Sequence, residues 1–382
     1  RRPQYNLPKP PRGQPVPDER VVKLARVLVQ YSCPVKPGNL VAIYGMPPGE
    51  PLLREVYREV LRAGGHPYLQ VSLEGLDRIF YSEANDDQLK HVSRISKMVN
   101  TEFDALISVR SQSNTRGLSQ VDPARQSARA KAMTELMEAF MRRGASGELQ
   151  WVSTLYPTDA YAQDAEMSLE EFEQYVFATT YADTPDPVAE WRKIHDEQQR
   201  LVDWLAGKRT VEVKGPDVEM SLSIEGRRFE NSDGTKNMPS GEIFTGPVED
   251  SVNGWARFTY PAVTQGREIE GVELHFERGR VTKATARKGE QFLLAVLDTD
   301  PGARYLGEWA IGTNKKIDRF IKNILFDEKI GGTIHMAIGA GYPETGSLNK
   351  SAIHMDMICD MRQGGQIRVD DELIYDSGEF TI

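Results

Sequence analysis

The sequence predicts an α/β N-terminal domain with a mostly parallel, doubly wound sheet, followed by a β-rich α+β domain. Three observations carry that expectation. Short apolar runs alternate with segments of helical period up to Gly207, strand-like two-residue alternation takes over afterwards, and the composition is that of an ordinary globular chain. We place the divisions at 1–15 (a Pro-rich arm), 16–207 (the α/β domain) and 208–382 (the β-rich α+β domain). Residues 1–15 hold five prolines and four Arg/Lys without an apolar segment, so they read as an extended arm and not as a secretory signal.

In chain order, residues 40–44 form a short apolar strand. Leu53, Val56, Tyr57, Val60 and Leu61 then recur at helical spacing until Gly64-Gly65 stops them, and residues 68–72 supply the next strand. Helical spacing over 86–99 leads to a strand at 105–109, and a long helix over 123–143 leads to a strand at 150–155. Ser168-Leu-Glu-Glu171 is a capping-box pattern that opens a helix to about Thr180. Asp186-Pro187 opens another that runs to Leu205. Beyond Gly207, residues 210–213 and 219–224 alternate as strands around a Gly215-Pro216 turn, and residues 276–281 read as a hairpin. A helix is expected over 315–325, with strands dominating from there to the C-terminus.

The 382 residues are 39% apolar and 27% charged, and the net charge is −9. An acidic chain argues against a nucleic-acid or anionic-membrane partner, and the longest apolar runs, such as 292–297, are far too short to span a bilayer. Two cysteines, Cys33 and Cys359, make neither a disulfide framework nor a four-thiolate zinc site. We read them as buried free thiols, which points to the cytoplasm.

Several chemical signatures are absent: a phosphate loop ending in Lys-Ser/Thr, zincin-spaced histidines, and a nucleophile-elbow serine. The run Ile338-Gly-Ala-Gly-Tyr342 starts like a dinucleotide loop, but Glu344 stands where the third glycine belongs. Of the six histidines, His66, His91, His195 and His275 lie among polar neighbours. The other two do not. Ile353-His-Met-Asp-Met-Ile358 alternates strictly, so His354 and Asp356 project from one face of a strand and can chelate a metal, or can form a buried imidazole–carboxylate pair. His335 sits in the apolar run Gly332-Thr-Ile-His-Met-Ala-Ile338. Glu242, Glu308 and Glu328 stand in apolar or glycine context, where an ionised carboxylate is costly unless paired or metal-bound.

These residues, taken in order, resemble a known family. Pro239-Ser-Gly-Glu-Ile-Phe244 and its continuation to Gly254, Leu306-Gly-Glu308, Phe326-Asp-Glu328, His335 with Tyr342 seven residues later, and His354-Met-Asp356 are similar to the signature of the metallo-aminopeptidases typified by aminopeptidase T and aminopeptidase S. Thr154-Leu-Tyr-Pro-Thr158, Ala162-Gln-Asp-Ala165 and Met167-Ser168 extend the similarity into the N-terminal half. The resemblance implies metal ligands at Glu242, Glu308, Glu328, His335, His354 and Asp356, a catalytic tyrosine at Tyr342, peptide substrates with a free N-terminus, and a homodimer. The chain departs from the family pattern in a longer loop, Lys-Ile-Gly-Gly-Thr-Ile, between Glu328 and His335.

Four carboxylates and two imidazoles exceed the needs of one tetrahedral ion and suit two divalent ions sharing a carboxylate and an activated water. Oxygen and nitrogen donors without thiolate admit zinc, cobalt, manganese or iron. Glu328 or Glu308 can relay the proton of the water to the leaving amine. Tyr342 can donate to the oxyanion, or can be a packed core tyrosine. The substrate amine can rest on a metal, Glu249 or Asp250, and large apolar N-terminal residues are the expected preference. Two alternatives stay open at this point: a two-metal phosphoester hydrolase, with Arg362 and Arg368 as phosphate donors, and a non-catalytic nucleotide-binding protein.

Overall fold

The structure is a computed structural model that describes residues 17–264 and 267–382; the Pro-rich arm expected over 1–15 lies outside the described residues. A five-stranded sheet organises the N-terminal half. Its order is His66–Val71, Leu40–Gly45, Ala105–Arg110, Gln150–Leu155 and Asn237–Met238, and every neighbouring pair is parallel. Helices connect the first four strands, as the alternating pattern predicts. The fifth strand comes from beyond Gly207, so the C-terminal half adds an edge to the first sheet.

The helices begin where side chains can satisfy their free amides. Ser168 and Glu171 close a capping box on the Leu169–Thr179 helix. Asp186 accepts from the Ala189 amide and Pro187 fills the first turn of the Pro187–Leu205 helix. Two predicted helices are interrupted. The segment 86–99 splits into Asp86–Lys90 and Arg94–Glu102 because Ser93 starts a fresh cap, its hydroxyl accepting from Ile95. The segment 123–143 breaks at Met133 into Pro123–Ala132 and Thr134–Ser146.

The C-terminal half is built from two large antiparallel sheets and a two-stranded ribbon, Ala262–Thr264 with Arg267–Ile269. One has eight strands, with Thr210–Gly215 and Val218–Ser223 at its middle; the other has five, ordered His354–Asp360, Thr333–Gly339, Leu306–Gly312, Glu242–Thr245 and Glu230–Ser232. They share one apolar core, in which Val213, Met220, Phe276 and Ile367 meet Trp309, Ile334, Met336 and Met357. The helix expected over 315–325 is absent apart from the short turn Ile324–Asp327. The carboxylate of buried Asp327 accepts from the amides of Ile321 (2.7 Å) and Asn323 (2.6 Å), and Lys322 sits at φ +60°, so those amides are turned away from a helical ladder. Among the described residues no helix is long and apolar enough to cross a membrane.

Candidate metal centre

Alternation along the five-stranded sheet separates its two faces. Trp309, Ile311, Ile334, Met336, Ile338, Met355, Met357 and Cys359 point into the apolar core. The intervening residues Glu242, Glu308, His335, His354 and Asp356 therefore share the opposite face. Register places them next to small partners. Glu242 faces Gly312, His335 faces Ala310, Asp356 and Glu308 flank Ala337, and His354 faces Gly339. The volume above the sheet is left to the long polar side chains. Glu328 reaches the same space from the C-terminal end of the Ile324–Asp327 turn.

All six residues singled out as ligands in the sequence come together. His335 Nε2 lies 3.2 Å from Glu242 Oε2 and 3.6 Å from Glu308 Oε1; His354 Nε2 lies 3.2 Å from Glu308 Oε2 and 3.4 Å from Asp356 Oδ1. Three overlapping triads each have ligand atoms within 4.8 Å of one another: Glu242–Glu308–His335, Glu308–His354–Asp356 and Glu328–His335–Asp356. Glu308, His335 and Asp356 each belong to two of them.

This donor set fits a metal. Among the described residues, Glu242 Oε2, both His335 ring nitrogens and Asp356 Oδ1 are buried without a hydrogen bond, a costly state for polar atoms unless a cation completes them. His354 Nδ1 donates to the Ala340 carbonyl at 2.8 Å. Because that oxygen can only accept, Nδ1 carries a proton, and Nε2 is the ring nitrogen that faces Glu308 and Asp356 and would bind a cation. Gln198, buried on the Pro187–Leu205 helix, donates to the Glu242 carbonyl (3.1 Å) and to Asn231 Oδ1 (2.7 Å) while accepting from Thr313 (2.7 Å). The N-terminal half thereby braces the Glu242 strand.

The titration behaviour follows from crowding four acids in a dry site. Burial raises the Glu328 carboxyl, Lys329 opposes this, and Glu242 and Asp356 add to it, bringing Glu328 up to about 7. Burial disfavours charge on His335, but Glu308, Glu242 and Glu328 outweigh it and lift the ring to about 9. His354 is lifted against the same burial cost, chiefly by Asp356 and then Glu308, to about 12. Burial would likewise raise Glu308, yet the two imidazoles beside it hold its carboxyl below the ordinary range.

Between pH 6.5 and 9 the metal-free fold therefore retains protons on His335 and His354 that the unfolded chain has released. Native protein binding more protons than unfolded protein means that stability falls as pH rises. The thermal midpoint of chelator-treated protein should accordingly be lower at pH 9 than at pH 6.5, and saturating metal should remove the drop. A metal-free midpoint that is flat or rising over that window contradicts this electrostatic picture.

Tyr342 follows the Gly339-Ala-Gly341 turn, with its ring 5.3 Å from His354 and 5.3 Å from Phe244. Burial and then the neighbouring carboxylates push its phenol far up, so it stays protonated. Among the described residues no hydrogen bond engages its hydroxyl. Glu249, by contrast, is occupied: it accepts from Arg227 Nη2 (2.5 Å), the Leu348 amide (2.7 Å) and Ser347 (3.4 Å). Asp250 is exposed. Lys329 escapes a reading of the sequence altogether. It is fully buried, with Nζ in contact with Glu328 and 3.5 Å from Glu242. The available signal is a lysine next to a candidate ligand in an otherwise apolar and glycine run.

A model of the thermophilic metalloprotease (M29) family matches residues 17–380. The chain is 27% identical to aminopeptidase 2 of Geobacillus stearothermophilus, over an alignment that covers 89% of this chain and 92% of that protein. The solved structure of wild-type AmpT from Thermus thermophilus superposes with a TM-score of 0.83 at 21% identity, over 95% of this chain and 99% of that one. A 2,5-dihydroxypyridine dioxygenase from Pseudomonas putida KT2440 superposes at 0.56 with 12% identity, over 96% and 98% of the two chains. These two likenesses establish the two-part fold, and the second shows that the fold alone does not settle the chemistry.

Proposed function

The chain belongs to the thermophilic metalloprotease (M29) family and is a metallo-aminopeptidase; from that premise we propose that it removes single residues from the free N-termini of peptides at a two-ion centre held by Glu242, Glu308, Glu328, His335, His354 and Asp356. The observation that carries the reading is the set of three overlapping triads around buried, unpartnered donor atoms. When bound, two divalent ions would polarise the scissile carbonyl and lower the pKa of a water. The oxygen and nitrogen donors suit zinc, cobalt, manganese or iron.

The chain's own residues have distinct tasks. Glu308 and Asp356, each in two triads, are the carboxylates placed for sharing. Glu328, which enters the centre from the Ile324–Asp327 turn, can take a proton on the carboxylate oxygen that holds no ion and return it to the leaving amine. Tyr342 keeps its proton and donates to the carbonyl oxygen as negative charge grows there. The phosphoester alternative loses its clamp, because Arg362 is bound to Asp360, Tyr260 and the Asp318 carbonyl, and Arg368 is exposed.

Hydrolysis of an aminoacyl anilide, with its N-acetylated counterpart and a phosphodiester as controls, tests the reaction. The expected outcome is turnover of the free-amine substrate only, abolished by a chelator. Equal cleavage of the acetylated substrate would remove the exopeptidase reading.

Two further parts of the proposal concern setting. Among the described residues the His66–Val71 strand is paired on one side only, and it exposes Tyr68, Leu69 and Val71. An open apolar edge of this kind supports a homodimer. Light scattering should give twice the mass of the 43.0 kDa chain, and Leu69→Lys should yield monomer; an unchanged mass in that variant would place the interface elsewhere. The unbridged, buried Cys33 and Cys359 support a reducing compartment such as the cytoplasm.

A further inference from the structure

A seventh charged group stands among the six proposed ligands. Lys329 is 0% exposed, and a buried ammonium is costly unless carboxylates surround it. Its partners are carboxylates of the centre itself: Nζ contacts Glu328 Oε1 and lies 3.5 Å from Glu242 Oε1. The backbone holds it there. The Lys329 amide donates to the Phe326 carbonyl (2.9 Å), and its own carbonyl accepts from Asn314 (3.2 Å). The ammonium is distributed unevenly over the triads. Glu308, His354 and Asp356 make no ion pair with it among the described residues, whereas Glu242 and Glu328 share it.

Resting on the two-ion reading above, we infer that Lys329 makes the two ion positions unequal. The position at Glu308, His354 and Asp356 holds its ion tightly, and the position served by His335 with Glu242 and Glu328 is weak and exchangeable. An ion entering the second position has to take two carboxylates from the ammonium and then remain close to it. The charge balance points the same way. With neutral imidazoles, four carboxylates, one ammonium and one divalent ion leave the site a single negative charge to attract the second ion. Without the ammonium there would be two. Charges a few ångströms apart in a partly dry site interact strongly enough to shift a dissociation constant by about tenfold or more. Lys329 is thus a positioning residue that sets metal occupancy.

Equilibrium dialysis of the full chain against graded cobalt(II), with bound ions counted by elemental analysis, tests this directly. The wild type should bind two ions per chain in two steps whose dissociation constants differ by about tenfold or more. In Lys329→Met the second step should tighten by about tenfold while the first hardly moves, and Lys329→Arg, which keeps the charge, should retain the wild-type gap. A merely structural lysine would shift both steps together or neither. Two equal sites in the wild type, or an unchanged second step in Lys329→Met, would overturn the inference while leaving the two-ion reading intact. A single ion per chain at saturating cobalt, in the wild type and in Lys329→Met alike, would instead overturn the two-ion reading and this inference with it. The wild-type isotherm decides even if Lys329→Met does not fold.

Discussion

Glu308→Gln should reduce kcat/KM by roughly a thousandfold or more and strip most of the bound metal. The size follows from position. Glu308 lies within 3.6 Å of His335 and 3.2 Å of His354, and it is common to two of the three triads. Substituting a group that merely orients a metal ligand already costs about 10–100-fold in metal affinity or activity; a carboxylate shared between two ion positions should cost more. Glutamine keeps the volume, so the apolar core behind the strand, with Trp309 buried next door, is undisturbed. Circular dichroism of the variant should match wild type. Anilide turnover and metal content measured on one preparation decide the matter. A Glu308→Gln enzyme retaining both full metal and more than about a tenth of wild-type kcat/KM would place Glu308 outside the centre.

Tyr342→Phe should lower kcat by roughly 10²–10³ with little change in KM, metal content or thermal midpoint. Removing one oxyanion donor has an effect of that order, and it falls on kcat because the hydrogen bond strengthens as charge develops in the transition state. The ring contacts to His354 and Phe244 survive the substitution, so packing is retained. A tyrosine present only for packing would give the reverse pattern, a lowered midpoint with near-normal turnover. More than about half of wild-type kcat would exclude Tyr342 from the mechanism.

The parts of the fold visible in the sequence are those set by local rules. Ser168 with Glu171, and Asp186 with Pro187, mark helix starts through their side-chain chemistry, and both helices begin there. The alternation of residues 353–358 assigns His354 and Asp356 to one face before any fold is known, and the structure sends Met355 and Met357 into the opposite core. What the sequence conceals depends on distant partners. The 315–325 segment has helical spacing, but Asp327 captures its amides. The Asn237–Met238 strand joins a sheet whose other members end by Leu155, and no local pattern announces that pairing. Lys329 and Gln198 become intelligible only once Glu242 lies between them, the first near its carboxylate and the second on its carbonyl. Helical period puts Gln198 in line with buried Trp191 and Leu205, seven residues to either side, but does not say which polar groups its amide meets there.

The central claim is that catalysis rests on two metal ions at the six-residue centre, and one measurement bears on it most directly. Active protein is stripped with a chelator, assayed, reloaded with a single divalent metal, and analysed for bound metal at each step. The account predicts that anilide hydrolysis disappears on stripping and returns in proportion to metal bound, reaching its plateau at two ions per chain. Full activity in protein that contains no transition metal would contradict it.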